Sequence, residues 1–348
     1  MLTDASPFYA LLRFEEAATV LRAAFRLDLV ERVAATESVG DAQFCEMFAL
    51  TPAGGKTLTA VLHAMDVLKS VDGGWGVTDL AQQCLSGDSS WTRRPYLQMG
   101  PADAADDLIA MLRGDFPSSS IPLYGFDDAP SLMESTETAD VAREIAYGLA
   151  SRARCFAQPL ADFTAPLIHA SVRRIADLGA GSPYVLSAIL ERCSSDAVGV
   201  LVDQRAGLQF AREMASELNA TESLEYVQAD IFVEVPAADL VIMSNTAHDW
   251  LPEDYQRLAK NIRKSISAKG RVVVHEPLML SGWSTLEQQH EALWMACYAL
   301  ALYKLCGGRG TCYTLEEHDQ IMQTAGFVRV AGPQKTIDGC SAICYEAT

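Results

Sequence analysis

Four carboxylates and two glycines are spaced along the C-terminal half of this chain like groups that grip a nucleotide-like ligand. In residues 174–189, RIADLGAGSPYVLSAI, an apolar entry ends at Asp177, Gly179 and Gly181 follow, and an apolar run with helical spacing begins. This reads as a strand, a tight turn and a helix start. The glycines let backbone approach a ligand closely, and the helix N-terminus offers unpaired N–H groups. Residues 197–203, AVGVLVD, form a second valine-rich run closed by Asp203, 24 residues beyond Gly179. Nucleotide-binding α/β folds place an acid there to accept from ribose hydroxyls. Further runs end at Asp230 (LEYVQAD), at Ser244 and Asn245 (ADLVIMSN) and at Glu276 (RVVVHEP), and the second of these delivers His248, Asp249 and Trp250. Strands that each finish in a polar residue line one edge of a parallel sheet, where such folds bind ligands. Taken alone, these residues fit any doubly wound α/β domain.

Their order carries a resemblance. Residues 174–345 resemble a class I methyltransferase that uses S-adenosyl-L-methionine, with DLGAGSP as its glycine motif, VD at 202–203 as its ribose acid and QADIF at 228–232 as its adenine-side segment. AHDW at 247–250 is similar to the His-Asp-Trp segment of the plant caffeate, acetylserotonin and bacterial polyketide O-methyltransferase family. The following LPEDYQRLAKNIRKSISAKGRVVVHEPLM fits that family too. The resemblance implies a Rossmann-like α/β catalytic domain with a mostly parallel sheet, preceded by a mainly α, winged-helix-like dimerisation domain, and hence a homodimer. It implies S-adenosyl-L-methionine as cofactor. Gly179 and Gly181 would border its methionine end beside Asp177, Asp203 would meet the ribose, Asp230, Ile231 and Phe232 would flank the adenine, and Ser244 and Asn245 would lie alongside.

Methyl transfer from a sulfonium is an in-line displacement, which needs an aligned acceptor and, for a phenol, removal of its proton. A histidine with a pKa near working pH suits the second task. The resemblance makes His248 that base and Glu276 the group that orients it. The implied activity is methylation of a phenolic or aminophenolic oxygen on a small aromatic compound of specialised metabolism.

Three positions depart from the family pattern: Pro183 replaces a third glycine, Ser244 replaces the lysine of plant relatives, and Cys312 stands where a second supporting glutamate falls. Deprotonating a phenol also makes its ortho carbon nucleophilic, so C-methylation of the ring by the same His248 is the alternative. Further alternatives are metal-assisted C-methylation of an α-keto acid, with His248, Asp249 and a third histidine as ligands, and a non-catalytic winged-helix regulator. No metal is expected.

The elements that position these groups follow from periodicity. Residues 7–37 predict two helices broken near 27–28, residues 41–48 a short helix, and Thr51 the cap of another running to about 69. Asp72-Gly73-Gly74 marks a tight turn between short strands, and this helix-helix-hairpin order is that of a winged helix. Helices are expected over 102–112 and most of 132–157, and the first strand follows. We therefore divide the chain into 1–100 (dimerisation), 101–165 (a helical connector to the substrate pocket) and 166–348 (catalysis). Residues 285–304 predict a long helix apolar on nearly every side. His290, Trp294 and Tyr298 recur at four-residue spacing on it, and with Leu305 they are the candidate acceptor-pocket residues. Residues 314–325 form a further helix with Thr314 and Glu317 as its cap, His318 is expected on its surface, and the tail reads as an edge hairpin.

The formal charge is −18, from 27 basic and 45 acidic residues among 348. A chain this acidic repels phosphate backbones and anionic lipid, so neither nucleic acid nor membrane is an expected partner, despite the winged-helix pattern. Nine cysteines without a C-x-x-C pair suggest reduced thiols, and the N-terminus lacks a signal-peptide pattern, so a cytoplasmic location is expected.

Overall fold

Helix Ser6–Arg26 stops where Asp28 takes a left-handed conformation (φ 47°) and helix Leu29–Ala34 begins, at the expected break. The computed structural model describes residues 6–87, 92, 94, 103–117, 121–125, 131–135, 139–193, 196–218, 223–337 and 339–348. It divides into two units, one of Ser6–Ser120 with Met279–Cys312 and one of Ile121–Leu278 with Tyr313–Thr348.

In the first unit, helices Asp41–Phe48 and Pro52–Ala64 lead into an antiparallel hairpin of β1 (Leu68–Val71) and β2 (Gly74–Val77). Thr51 caps the second helix by accepting from the Gly54 N–H at 3.0 Å, with Pro52 in the first turn. Gly54 has no room for a side chain, because a Cβ would run into the Leu112 carbonyl. That close approach seats the helix against the end of helix Asp103–Leu112. Phe44, Phe48, Leu58, Leu62 and Leu68 form the core together with Ala292, Ala296, Leu300 and Tyr303 of helix Leu286–Leu305. The Tyr303 hydroxyl fixes that helix by donating to the Met111 carbonyl at 2.8 Å.

The second unit is built on a sheet of β3 (Arg174–Leu178), β4 (Val198–Asp203), β5 (Leu224–Gln228), β6 (Ala238–Ser244), β7 (Ile266–Met279), β8 (Tyr313–Thr314), β9 (Phe327–Lys335) and β10 (Cys340–Ala347). The spatial order is β5-β4-β3-β6-β7-β10-β9, with β8 on β7. The first five strands of that order run parallel, and β10 is antiparallel to both β7 and β9, so the tail forms the expected edge hairpin. Val200, Val202, Val241 and Val274 are fully buried, as strands covered on both faces require. The chain leaves β3 toward β4 on one side, while β6 pairs with the other side. The ends of β3 and β6 therefore flank the topological switch point, where open α/β sheets hold ligands.

The structure departs from the sequence reading at four points. Helix Leu286–Leu305, expected within the catalytic domain, belongs to the first unit, because its alanine and leucine face completes that core. Its first turn is open, with Leu286 67% exposed, so it is not buried all round. The expected helix over 132–157 begins only at Ala139 and runs through Pro159 to Thr164, because Ser131 accepts from the Glu134 N–H and turns the chain beforehand. The segment from 121 to 165 joins the unit of the parallel sheet, while the expected boundary at 100 lies outside the described residues. Among the described residues no helix is long and apolar enough to cross a membrane.

Candidate active site

Just past β6, Asn245 takes a left-handed conformation (φ 54°) and the chain enters a short 3-10 turn, Ala247–Asp249. The parallel register of β6 with β7 sets Ser244 beside His275, which brings Glu276 under this turn. One Glu276 oxygen, Oε2, lies 2.5 Å from His248 Nδ1. The other, Oε1, accepts from the Thr246 and Ala247 N–H groups at 2.8 Å each. The carboxylate thus anchors the turn and holds the imidazole, leaving Nε2 of His248 as the second ring nitrogen. Asp249 Oδ1 lies 3.6 Å from that Nε2.

Both partners are buried. Burial alone would lower the His248 pKa, but the charges of Glu276 and then Asp249 outweigh it and raise His248 above the ordinary 6.5. Burial would raise Glu276, and the charge and hydrogen bond of His248 overcome this and hold it below its usual value. The neighbouring His275 is the opposite case. Its ring bonds Ser244 Oγ at 3.0 Å and Thr336 Oγ1 at 2.8 Å, and burial lowers it to about 3, so it is neutral.

On the other side of the switch point, Gly179 and Gly181 both have positive φ, 66° and 56°. A Cβ on Gly181 would meet no atom within 4 Å, so that face of the turn is open. Asp203 closes β4 with its carboxylate between two backbone donors, Gly181 N–H at 2.8 Å and Gln204 N–H at 2.7 Å. Burial raises it to about 6 despite those bonds. Asp177, fully enclosed at the end of β3, is pushed well above the usual carboxylate value by burial and then by Asp203. Asp230 is exposed and accepts from the Phe232 N–H at 2.8 Å, while Ile231 is buried. The Phe232 ring meets Trp250 edge-on at 4.7 Å. These groups suit a nucleoside-bearing ligand: an open glycine turn and a carboxylate acceptor at the strand end.

Ser244, predicted beside the cofactor, is engaged by the buried His275. In the other unit the rings of Trp294 and Tyr298 lie 6.2 Å apart and nearly parallel, at 9°, and Arg13 covers Tyr298 at 4.9 Å. His290 is exposed, and so is Leu305 at the end of the same helix. Cys312 is buried among Ala299 and Leu302 in that unit. Two residues escape sequence reasoning. Thr246 donates its hydroxyl to the Leu178 carbonyl at 2.9 Å, and Gly207 lies against Asp203. Neither belongs to a motif; only the neighbouring strand shows what each one touches.

A Rossmann-like sheet with a glycine turn at one strand end and a buried His–Glu pair near the next fits a nucleotide-binding domain of the methyltransferase type. The chain matches the O-methyltransferase domain family over residues 130–328 and belongs to it. That family takes its methyl group from S-adenosyl-L-methionine. A phenazine O-methyltransferase of Lysobacter antibioticus is 28% identical over 219 residues, 56% of this chain and 63% of the relative. A phenazine-1-carboxylate N-methyltransferase of Pseudomonas aeruginosa is 30% identical over 156 residues, 44% of each chain. The aligned stretches thus span about half to less than two thirds of these curated relatives. The fold is shared with an O-methyltransferase family 2 protein from Planctomyces limnophilus, solved with apigenin, at a TM-score of 0.83 and 24% identity over 99% of this chain and 97% of that one.

Proposed function

We propose that this protein is a cytoplasmic, homodimeric methyltransferase of specialised metabolism that methylates the hydroxyl oxygen of a small phenolic or aminophenolic aromatic compound. The observation that carries the reading is the 2.5 Å contact of Glu276 with His248 Nδ1. With Nδ1–H given to the carboxylate, Nε2 is an acceptor and can take the phenolic proton. Glu276 need not accept that proton. It stabilises the imidazolium that forms and keeps the ring fixed through the two backbone N–H groups it also holds. Bound S-adenosyl-L-methionine would supply an electrophilic methyl on a sulfonium. Gly179 and Gly181 would border its methionine portion beside Asp177. Asp203 would accept from its ribose, with Asp230, Ile231 and Phe232 at the adenine and Ser244 and Asn245 alongside. The acceptor-binding role is assigned to Trp294, Tyr298, His290 and Leu305, which share one helix. The relatives named for phenazine substrates support an aromatic acceptor.

The second reading is methylation of the ring carbon ortho to the phenol. Removing the phenolic proton at Nε2 places negative charge on that carbon as well as on oxygen, and Cys312 brings no second carboxylate to the base. Incubation with S-adenosyl-L-methionine carrying a 13C methyl group and a panel of phenols, aminophenols and α-keto acids separates the readings by NMR. A methoxy carbon supports the first and an aryl-methyl carbon the second. Label on the α-keto acids alone would overturn both. Light scattering on the eluted protein tests the dimer.

A further inference from the structure

We propose that Gly207 is a positioning residue for the methyl donor: its missing side chain makes the space in which the Asp203 carboxylate stands. The inference rests on the reading of Asp203 as the ribose acceptor. A Cβ built on Gly207 would lie 2.5 Å from Cγ of Asp203 and 2.6 and 2.7 Å from its two oxygens. All three atoms of the carboxylate are therefore in the way, at distances that real Cβ contacts do not reach. The carboxylate cannot simply swing aside. Its two oxygens are fastened by the Gly181 and Gln204 N–H groups, at 2.8 and 2.7 Å, and any rotation breaks at least one of these bonds.

The backbone gives no other reason for a glycine at this position. Gly207 lies inside helix Arg205–Leu218 and is not among the positive-φ glycines. It stands in the first turn, where alanine is a better helix former than glycine, so an alanine there would ordinarily not destabilise the chain. The helix start is also shared between two acids. Glu134 accepts from the Ala206 N–H at 2.8 Å and pairs with Arg205 at 3.5 Å, while Asp203 takes the Gln204 N–H. Each acid has its own donor, and the Ala206 N–H is not open to a displaced Asp203.

The test is a double-mutant cycle on Gly207→Ala and Asp203→Ala in the full chain, with S-adenosylhomocysteine binding read by calorimetry and stability by thermal melting. Asp203→Ala weakens binding about tenfold or more and Gly207→Ala at least about fivefold, the size expected for a lost or misplaced charged hydrogen bond. The double variant binds no more weakly than Asp203→Ala alone, and adding Gly207→Ala to that background raises the melting temperature, because the obstructing carboxylate is gone. In turnover, the Gly207→Ala loss falls on the KM of the donor and not of the acceptor. Equal losses from Gly207→Ala in both backgrounds, or wild-type binding by Gly207→Ala, would overturn the role of Gly207 while leaving Asp203 in place. Wild-type binding by Asp203→Ala would instead overturn the ribose reading on which it rests.

Discussion

A side chain on Gly179 would place its Cβ 3.0 Å from Cγ2 of Thr246 and 3.1 Å from its hydroxyl oxygen. The same Thr246 gives its hydroxyl to the Leu178 carbonyl and its N–H to Glu276. One residue therefore ties the glycine turn after β3 to the carboxylate that holds His248. Gly179→Ala must bear both this contact and a left-handed φ of 66°. We expect it to destabilise the fold by about 1–2 kcal/mol and to weaken donor binding. Wild-type melting with wild-type donor affinity would show that the close approach is not used.

Glu276→Gln separates charge from shape. The proposed role of His248 predicts that wild-type kcat/KM rises with pH as Nε2 loses its proton, with a midpoint above 6.5 because Glu276 and Asp249 outweigh burial. Without the Glu276 charge, burial counts for more and the imidazolium is harder to form. The acid limb moves to lower pH, while the plateau rate falls about a hundredfold because the developing imidazolium loses its counter-charge. A pH–rate profile of both proteins reads the two effects separately. An unmoved limb would mean that His248 is not the titrating base.

The ligand edge of the sheet was legible because apolar runs close in polar residues; Asp203 ends β4, although β3 runs one residue past Asp177 and β7 three past Glu276. Which unit claims a helix was not. The apolar sequence of Leu286–Leu305 suits any core, and only the packing of Ala292, Ala296 and Leu300 decides. His318 is the same lesson at one residue. Helical spacing puts it on a surface, yet it is fully buried, with its Nδ1 3.0 Å from the Tyr255 hydroxyl and its ring against Tyr313. Thr246 and Gly207 matter through contacts to residues 68 and 4 positions away, and the fit behind such contacts leaves no periodic trace.

Buried His318 makes the fold acid-sensitive. Burial lowers it to about 4, against 6.5 for an exposed histidine. Below 6.5 the unfolded chain takes up a proton that the folded one refuses, so its contribution to stability is complete above 6.5 and is lost as pH falls toward 4. His318→Gln removes this contribution. Relative to the variant, the wild type should lose about 2 kcal/mol between pH 7.5 and pH 5, read from urea midpoints. Parallel pH dependence in the two proteins would place the proton uptake elsewhere. The raised carboxyls of Asp177 and Asp203 act in the opposite direction, and the comparison cancels them because both proteins carry them.

The proposed place of Trp294 in the acceptor site can be tested against a packing role. Its indole N–H is buried with no hydrogen-bond partner among the described residues, while its ring lies parallel to Tyr298. An unpaired buried donor costs about 1–3 kcal/mol, a cost that an acceptor atom on a bound aromatic compound would remove. Trp294→Phe keeps an aromatic ring and deletes the donor. Its melting temperature should therefore not fall, whereas the KM of an acceptor bearing a carbonyl or ring nitrogen should rise about tenfold with the donor KM unchanged. A loss of stability with both KM values intact would make Trp294 a packing residue only. A rise in KM confined to acceptors that carry such an atom would identify the indole N–H as the group that reads it.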